Sequence, residues 1–381
     1  MSSSSAAADH PRSLLLLTRS LNVGGAERQL VELARGLSAR GHRVAVAVFY
    51  RGGLLERELE QQGIPIIDLG KAGRWDVIGF LFRLRRELVE FRPAVVYAFL
   101  GTANIVAALV RPFCPPFRLV WSIRASNMDP RSYDWVMRLG YWIERRLSRS
   151  ADLIISNSQA GRDFAAANGF PRARMVVIPN GIDTDRFRPA PAVRARMRAH
   201  WGLAPSDIAI GVLARLDPMK DHGNFIRAAA MLGGHEPRAR FLCVGEGSPA
   251  IIGQLTRLAE ELGLGDRLRF TGRHAAAEAL PAFDICCSSS AFGEGFSNAV
   301  AEAMACGVPC VVTDVGDSAA IVGETGIVVP PGDPLRLAAG LEQMFERTDA
   351  DASTASRQRI VDQFSVQAMV AATAERIFRQ L

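Results

Sequence analysis

The chain has 381 residues, 49% hydrophobic and 22% charged, which suits two ordinary globular domains. Its net charge of +6 falls largely on helix-like segments and not in a basic, aromatic-rich stripe, so no nucleic-acid partner is expected. Six cysteines without a Cys-x-x-Cys pair, and apolar runs shorter than the about 18 residues of a membrane span, argue against a zinc site, a disulfide framework and a transmembrane protein. We therefore expect buried thiols in a reducing cytoplasm.

Short apolar runs typical of buried strands alternate with helical patterns along the chain. Six such runs lie in the first half: Leu14–Leu17, Val44–Phe49, Ile64–Ile67, Ala94–Tyr97, Leu119–Ile123 and Leu153–Ser156. Six more lie in the second half: Ile208–Leu213, Phe241–Val244, Leu268–Phe270, Ile285–Cys287, Cys310–Val312 and Ile327–Val329. Continuous apolar strands with helices between them predict parallel sheets covered on both faces. Twelve strands divide better into two sheets than one, so we predict two Rossmann-like α/β domains facing across a cleft.

The division between these domains is predicted at 179–191, a segment with turn signals and three prolines. A Ser/Ala-rich tail, residues 1–12, is predicted to be disordered. The first domain would then span 13–185 and the second 186–365. A terminal helix over 366–381 would follow the second sheet.

Two segments of the first half follow predicted strands with residues suited to a ligand. Gly24 and Gly25 open a helix after the first strand, where paired glycines let a phosphate or sugar approach the backbone. Glycines in this position also serve helix packing. Arg124 ends the fifth strand at its carboxyl end, where open α/β sheets bind ligands, although a structural ion pair is the alternative role.

Three segments of the second half have the same placement. Arg215 and Lys220 follow its first strand, and a guanidinium with an ammonium can neutralise a diphosphate without a metal. Gly245 begins a G-x-G-x-x-A sequence after a strand, which supports a rival NAD-binding hypothesis. Thr271 follows another strand, where main-chain groups can contact a base. No His/carboxylate cluster appears, so neither a metal nor another cofactor is expected.

The segment 291–316 contains an acidic, glycine-flanked turn followed by a short helix. Ser297 and Asn298 are good N-cap residues and predict a helix over 299–305, ended by Gly307 and Pro309. The N–H groups and partial positive charge at the start of this helix suit ligand oxygens. Gly295 would let such a ligand come close to the main chain.

Two glutamates flank the start of this helix. Glu294 lies in the turn and Glu302 inside the helix, eight residues later, which places them roughly 10 to 12 Å apart. This separation is too long for a shared proton or for the paired carboxylates of a glycoside hydrolase. It suits two carboxylates that hold opposite ends of one elongated polar molecule. Glu302 also lies among small apolar residues, where an unpaired carboxylate is costly.

The pattern Glu-x7-Glu, followed by Ala-Met-Ala-Cys-Gly-x-Pro and Thr-Asp-x-Gly, resembles the retaining, nucleotide-sugar-dependent glycosyltransferases of the GT-B fold known as family 4. The resemblance covers about residues 14–380. It implies that Glu294 and the amides of Gly295, Phe296 and Ser297, beside Asn298, hold the transferred sugar. It implies that Glu302 holds the ribose.

The same resemblance extends to the other segments. It implies that Arg215 and Lys220 hold the diphosphate, that Gly24 and Gly25 form the family's Gly-Gly loop, and that the turns at Gly245 and Thr271 lie beside the nucleotide. Many family members have a His near the reacting sugar where this chain has Arg124, with Ser126 and Asn127 as alternatives, so that contact departs from the pattern. The terminal helix is expected to cross back to the first domain.

We therefore expect a metal-independent glycosyltransferase that moves a sugar from a UDP- or GDP-linked donor to a glycan or lipid-linked glycan of envelope polysaccharide biosynthesis. Loops near Gly53, Gly73 and 128–133 would select the acceptor. A nucleotide-sugar epimerase, an NAD-dependent oxidoreductase and a non-catalytic sugar or nucleotide sensor are the alternatives. The basic, aromatic segment 138–149 fits either an anionic membrane surface, in a peripheral cytoplasmic enzyme, or a solvated domain helix.

Overall fold

The computed structural model of the chain describes residues 12–73, 75–124, 135–347 and 350–379. Within these ranges, thirteen strands form two parallel sheets, one of seven strands and one of six. The predicted fold class, two parallel-sheet α/β domains, is therefore confirmed. Residues 1–11 of the predicted tail, Ser126 and Asn127, and the predicted acceptor loop at 128–133 lie outside the described residues.

The first sheet has the strand order β3-β2-β1-β4-β5-β6-β7. Its strands are β1 Ser13–Thr18, β2 Arg43–Val48, β3 Ile66–Asp68, β4 Val95–Phe99, β5 Arg118–Ile123, β6 Leu153–Ser156 and β7 Met175–Val177. The helices between them are α1 Gly25–Ala39, α2 Glu56–Glu60, α3 Ile78–Phe91, α4 Gly101–Val110, α5 Trp135–Leu147 and α6 Gln159–Ala167. The sequence prediction missed β7, although residues 175–178 form an apolar run; this run ends directly at the segment 179–191 that was assigned to the domain boundary.

The second sheet has the order β10-β9-β8-β11-β12-β13. Its strands are β8 Ile208–Leu213, β9 Ala239–Val244, β10 Leu268–Gly272, β11 Ile285–Ser288, β12 Cys310–Thr313 and β13 Ile327–Val329. The helices of this half are α7 Pro191–His200, α8 His222–Gly233, α9 Pro249–Glu261, α10 Ala276–Ala279, α11 Asn298–Ala305, α12 Ser318–Val322, α13 Pro334–Arg347 and α14 Ala350–Gln363, and α15 Val366–Phe378 is the last element of the described residues.

Each sheet separates two apolar cores. In β1, Leu14 and Leu16 pack in the core on one face, while Leu15 and Leu17 pack in the core on the other. This alternation follows from the two-residue period of a strand and explains why the run is apolar at every position. All six cysteines are free thiols; five are buried, and Cys114 is partly exposed.

The chain passes between the two domains twice, and the two passes are hydrogen-bonded side by side. Ile182 N–H donates to the Phe364 carbonyl (2.7 Å), and Val366 N–H donates to the Ile182 carbonyl (3.0 Å). Helix α15 then packs on α1 in the first domain. A Cβ at Gly36 of α1 would lie 2.5 Å from a methyl group of Val370, so a glycine is needed where the two helices cross.

Candidate active site

A cleft of about 650 Å³ lies between the two domains, a size typical of ligand sites. The strands of each sheet point their carboxyl ends toward loops that line it. The first domain contributes the glycine loop, which contains Gly24 and Gly25, and the start of α1. The second domain contributes the loop after β10 and the start of α11. The lining residues are Val23, Gly24, Gly25, Arg28, Gln29, Glu32, Gly181, Ile182, Asp183, Arg186, Phe187, Arg273, His274, Ala275, Ala276, Asn298 and Glu302.

The turn between β11 and α11, residues 291–297, is called here the tip loop, and its carboxylate Glu294 is held by two partners. Glu294 is 6% exposed, contacts the Lys220 ammonium, and accepts a hydrogen bond from Ser290 Oγ (2.7 Å). The Ser290 carbonyl in turn accepts from Thr313 Oγ1 (2.6 Å). The structure therefore brings the predicted residues Glu294 and Lys220 together and fixes the carboxylate in one orientation.

The loop after β8 places its two predicted cations differently. Lys220 turns inward to Glu294 and, with Ser297, lines a separate small cavity of about 20 Å³. Arg215 is 76% exposed and pairs with Asp217 at 3.1 Å, so the two cations do not meet in this structure. Asp221 adopts a left-handed backbone (φ +43°) and caps α8 by accepting from Asn224 N–H at 3.0 Å. This cap fixes the turn that carries Lys220.

The residues after Glu294 lead from the tip loop into α11, whose Asn298 lines the cleft. Phe296 is 6% exposed, and its ring packs against Phe364 in the core, so its side chain does not face a ligand. Ser297 occupies the N-cap position of α11, as predicted, but its side chain makes no capping hydrogen bond. The first-turn N–H groups of α11 are therefore not satisfied by Ser297 and suit ligand oxygens.

Glu302 lies one turn inside α11 and faces the cleft. Loss of hydration raises the pKa of the Glu302 carboxyl to about 7, while the positive charges of Arg186 and Arg28 act in the opposite direction. Both arginines line the same cleft. At neutral pH this carboxyl is therefore poised between its charged and neutral forms, and a ligand that donates hydrogen bonds to it would favour the charged form.

A chain of polar contacts joins the two sides of the cleft. Arg124 donates through Nη1 to Asn180 Oδ1 (2.6 Å), and Asn180 Nδ2 donates to Asn298 Oδ1 (2.8 Å). A Cβ at Gly25 would lie 3.1 Å from Asn298 Nδ2, so this glycine allows the close approach of the first domain to α11. Arg124 also donates to Ser122 Oγ (2.7 Å). The Arg124 guanidinium is thus hydrogen-bonded to Ser122 and Asn180 and is not a free cation.

Two predicted positions lie at the edge of the site. A Cβ at Gly245 would be 1.9 Å from the Ala214 carbonyl oxygen, so this glycine is needed for the packing of two loops. Packing therefore explains the first glycine of the G-x-G-x-x-A sequence, and a bound dinucleotide is not needed to explain it. The Thr271 carbonyl lies 3.0 Å from His274 Nε2, and the cleft is lined by His274 and its neighbour Arg273 rather than by Thr271.

The sequence prediction missed several charged residues at the domain interface, among them Arg28, Arg186 and Asp317. Arg28 lies one helical turn after the glycine loop, and its spacing from Gly24 could have indicated it. Arg186 lies in the segment between the domains. Asp317 directly follows the Thr-Asp-x-Gly stretch, but its partners are about 158 positions earlier in the chain, and no local pattern points to them.

In the described part of the chain, no three His, Cys, Asp or Glu residues are grouped so as to hold a metal ion. An Asp-x-Asp sequence does occur between the domains, at Asp183 and Asp185. The Asp183 carboxylate accepts from the N–H groups of Asp185 (3.1 Å) and Arg186 (3.0 Å), so it caps its own turn.

Comparison with solved structures defines the class. The structure of Anabaena HepE in complex with UDP and glucose superposes with a TM-score of 0.82 at 24% sequence identity, covering 97% of this chain and all of that one. Two parallel-sheet domains with this topology and a cleft between them are the GT-B fold of glycosyltransferases.

Comparison of sequences defines the family. A model described as Glycosyltransferase Family 4 matches residues 23–186, and one described as Glycosyl transferases group 1 matches residues 207–347. The GDP-mannose-dependent alpha-(1-6)-phosphatidylinositol monomannoside mannosyltransferase of Mycobacterium tuberculosis is 31% identical over 310 residues, which cover 77% of this chain and 78% of that protein. The Mycolicibacterium smegmatis protein of the same name is 37% identical over 202 residues, 50% of this chain and 52% of its own. The chain is a glycosyltransferase and belongs to family 4.

Proposed function

We propose that this glycosyltransferase transfers a sugar from a UDP- or GDP-linked donor to an acceptor hydroxyl with retention of configuration and without a metal. The observation that carries the proposal is the arrangement around α11. An oriented carboxylate, Glu294, precedes the helix N-terminus, and a second carboxylate, Glu302, faces the cleft one turn further on. The relative from M. tuberculosis is named for GDP-mannose and the HepE structure holds UDP, which supports these two nucleotides.

Each residue then has a distinct role in the transfer. The bond between the anomeric carbon and the diphosphate breaks with its electron pair on the leaving nucleoside diphosphate, a new bond forms to the acceptor oxygen, and the acceptor hydroxyl proton passes to the leaving diphosphate. We assign Lys220 to share its ammonium between Glu294 and that diphosphate when the donor is bound, which lowers the barrier. Glu294 and the amides after it hold the sugar hydroxyls, because a carboxylate already bonded to Lys220 and Ser290 is better suited to orient a hydroxyl than to take a proton.

The remaining residues act on the nucleotide and the acceptor. Glu302 accepts from the ribose hydroxyls, and Arg28 and Arg186 stabilise its charge. Arg215 is exposed, and a rotation of its side chain away from Asp217 would bring it to the diphosphate. The glycine loop at Gly24 and Gly25 lets the acceptor side approach the donor closely. Closure of the domains excludes water and suppresses hydrolysis of the donor.

A thermal-stabilisation panel tests the donor class. Purified protein is melted with UDP, GDP, ADP, NAD or phosphate, each with and without EDTA. A ligand at one hundred times its Kd adds about 2.7 kcal/mol of stability. We expect one nucleoside diphosphate to stabilise the parent in the presence of EDTA, and Glu302→Ala and Lys220→Ala to lose that effect. Stabilisation by NAD alone would contradict the proposal, and release of an isomerised donor without acceptor would indicate the epimerase.

We further propose that the acceptor is a lipid-linked glycan of envelope polysaccharide biosynthesis, reached by a cytoplasmic enzyme at an anionic membrane surface. No helix in the described part of the chain is both long and apolar enough to cross a bilayer. On α5, Leu139 and Trp142 are each 47% exposed, and the Arg146 guanidinium lies 5.0 Å from the Trp142 ring centre. Aromatic and basic side chains of this kind suit the headgroup region.

The neighbouring helices α3 and α4 add further exposed apolar surface. An open groove of about 270 Å³ between α3 and α4 is lined by Ile78, Leu81, Phe82, Arg85, Leu109, Val110 and Phe113. Sedimentation with phosphatidylcholine vesicles, with and without phosphatidylglycerol, tests the surface. We expect binding only to the anionic vesicles, reduced by Trp142→Ser and by Phe82→Ser, and unchanged by Leu335→Ser, an exposed leucine of the second domain. Equal sedimentation of all four proteins would refute this surface.

A further inference from the structure

The first turn of helix α6, in the first domain, is capped by a residue of the second domain. Asp317 accepts hydrogen bonds from the N–H groups of Gln159 (2.6 Å) and Ala160 (3.0 Å) through its two carboxylate oxygens. Ser158 Oγ accepts from the next N–H, that of Gly161, at 3.0 Å. A carboxylate at this position also faces the positive end of the helix dipole. Two of the three caps of α6 therefore come from across the domain interface.

Asp317 is itself fixed to the tip loop. Its N–H donates to the Gly295 carbonyl at 3.0 Å. The preceding residue, Gly316, has φ +64°, and a Cβ there would lie 2.4 Å from the Glu294 carbonyl oxygen. The turn at 316–317 is thus packed directly against the backbone of Glu294 and Gly295, and only a glycine fits at the point of contact.

The tip loop also touches the start of α6 directly. A Cβ at Gly295 would be 3.1 Å from Asn157 Oδ1 and 3.2 Å from Ser158 Oγ. The backbone of Gly295 therefore lies between the turn that carries Asp317 and the segment that opens α6. If the domains separated by a few ångströms, both Asp317 bonds would break, because hydrogen bonds of this kind extend only to about 3.2 Å.

We propose that Asp317 is a positioning residue for sugar transfer. Its carboxylate holds the tip loop against the first domain in the closed arrangement, and this sets Glu294 and the following amides at a fixed distance from the acceptor side. The catalytic consequence of this proposal rests on the proposed function. The contact between the domains does not depend on that function. The side chain of Asp317 contacts neither Glu294 nor Glu302, the two glutamates assigned to the donor. Asp317 acts through the backbone of the tip loop and through α6.

The test compares Asp317→Ala and Asp317→Asn with a matched control, Asp333→Ala. Asp333 is the carboxylate at the start of α13 and accepts from Arg336 N–H at 3.0 Å, but both partners belong to the second domain. Removing either carboxylate deletes a helix cap. Only the first removal breaks a contact between domains, so the control reports the cost of a lost cap alone.

Kinetics and solution scattering are the two measurements. We expect Asp317→Ala to lower kcat/KM for transfer by about five- to thirty-fold, the factor that one cap is worth, mainly through kcat and with more donor lost to hydrolysis. Asp317→Asn retains one acceptor oxygen and should lose less. The Kd of the nucleoside diphosphate alone should stay within about two-fold of the parent value, because the second domain binds it. Asp333→Ala should transfer at the parent rate.

Small-angle scattering of the unliganded proteins needs no donor and separates this inference from the proposed function. Asp317→Ala should have a larger radius of gyration than the parent and than Asp333→Ala. If the parent transferred no sugar while this difference persisted, the proposed function would fail and the contact would stand. If Asp317→Ala matched Asp333→Ala in both transfer and scattering, Asp317 would be only a helix cap and the inference would be wrong.

Discussion

The tip loop and helix α11 each contain one glutamate of the site, and the surroundings of the two carboxylates differ. Glu294 is buried, paired with Lys220 and hydrogen-bonded by Ser290. Glu302 faces the cleft, and loss of hydration raises the pKa of its carboxyl to about 7. The first carboxylate already has two partners within the free protein, both on Oε1. The second keeps much of its bonding capacity unused.

This difference indicates different roles for Glu294 and Glu302. A group that must be oriented for chemistry benefits from being held before the substrate arrives, because no reorganisation is then needed at the moment of reaction. A group that binds substrate benefits from unsatisfied capacity, because the ligand supplies the missing hydrogen bonds. Glu294 fits the first description and Glu302 the second.

The largest expected effect comes from removing the charge of Glu294 without changing its shape. We expect Glu294→Gln to lower kcat/KM for transfer by about 10²- to 10³-fold, the loss typical of one preorganised group in an active site. The Kd of the nucleoside diphosphate should change by less than about three-fold, since Glu294 is assigned to the sugar. Steady-state kinetics and nucleotide titration measure the two. A large loss of nucleotide affinity would place Glu294 on the nucleotide instead.

The pairing of Glu294 predicts the next largest effect, on stability. Lys220→Met leaves the Glu294 carboxylate buried without its cation, which should lower the free energy of unfolding by about 3 kcal/mol. The double variant Lys220→Met with Glu294→Gln removes both charges and should recover most of that loss. Denaturant unfolding of the four proteins gives the coupling energy. Additive losses would mean that the pair contributes nothing to the fold of the free protein.

The sequence predicted the framework of this site better than its connections. The apolar runs predicted all six strands of the second sheet, and Ser297 was placed correctly at the start of α11, because these features depend on neighbours in the chain. The contact between Lys220 and Glu294 joins residues 74 positions apart, and the outward direction of Arg215 depends on its pairing with Asp217. Such partners are set by the packing of loops from different strands.

Glu302 has the smallest expected effect, and a distinctive pH dependence. Since its folded pKa of about 7 lies above the ordinary value of 4.5, the folded state binds the proton more tightly, so the contribution of Glu302 to stability is largest below pH 4.5 and falls as pH rises through 7. The cleft admits water, so we expect only about 1 kcal/mol in total. Glu302→Gln should be more stable than the parent at pH 8 and equal to it at pH 4.5, and it should bind the nucleotide more weakly.

The control is Glu342→Gln, which changes an exposed glutamate of α13. Its stability should equal that of the parent at both pH values. Thermal unfolding at the two pH values measures the difference. A Glu302→Gln profile parallel to that of the parent would show that Glu302 is already satisfied without a ligand, and its contrast with Glu294 would disappear.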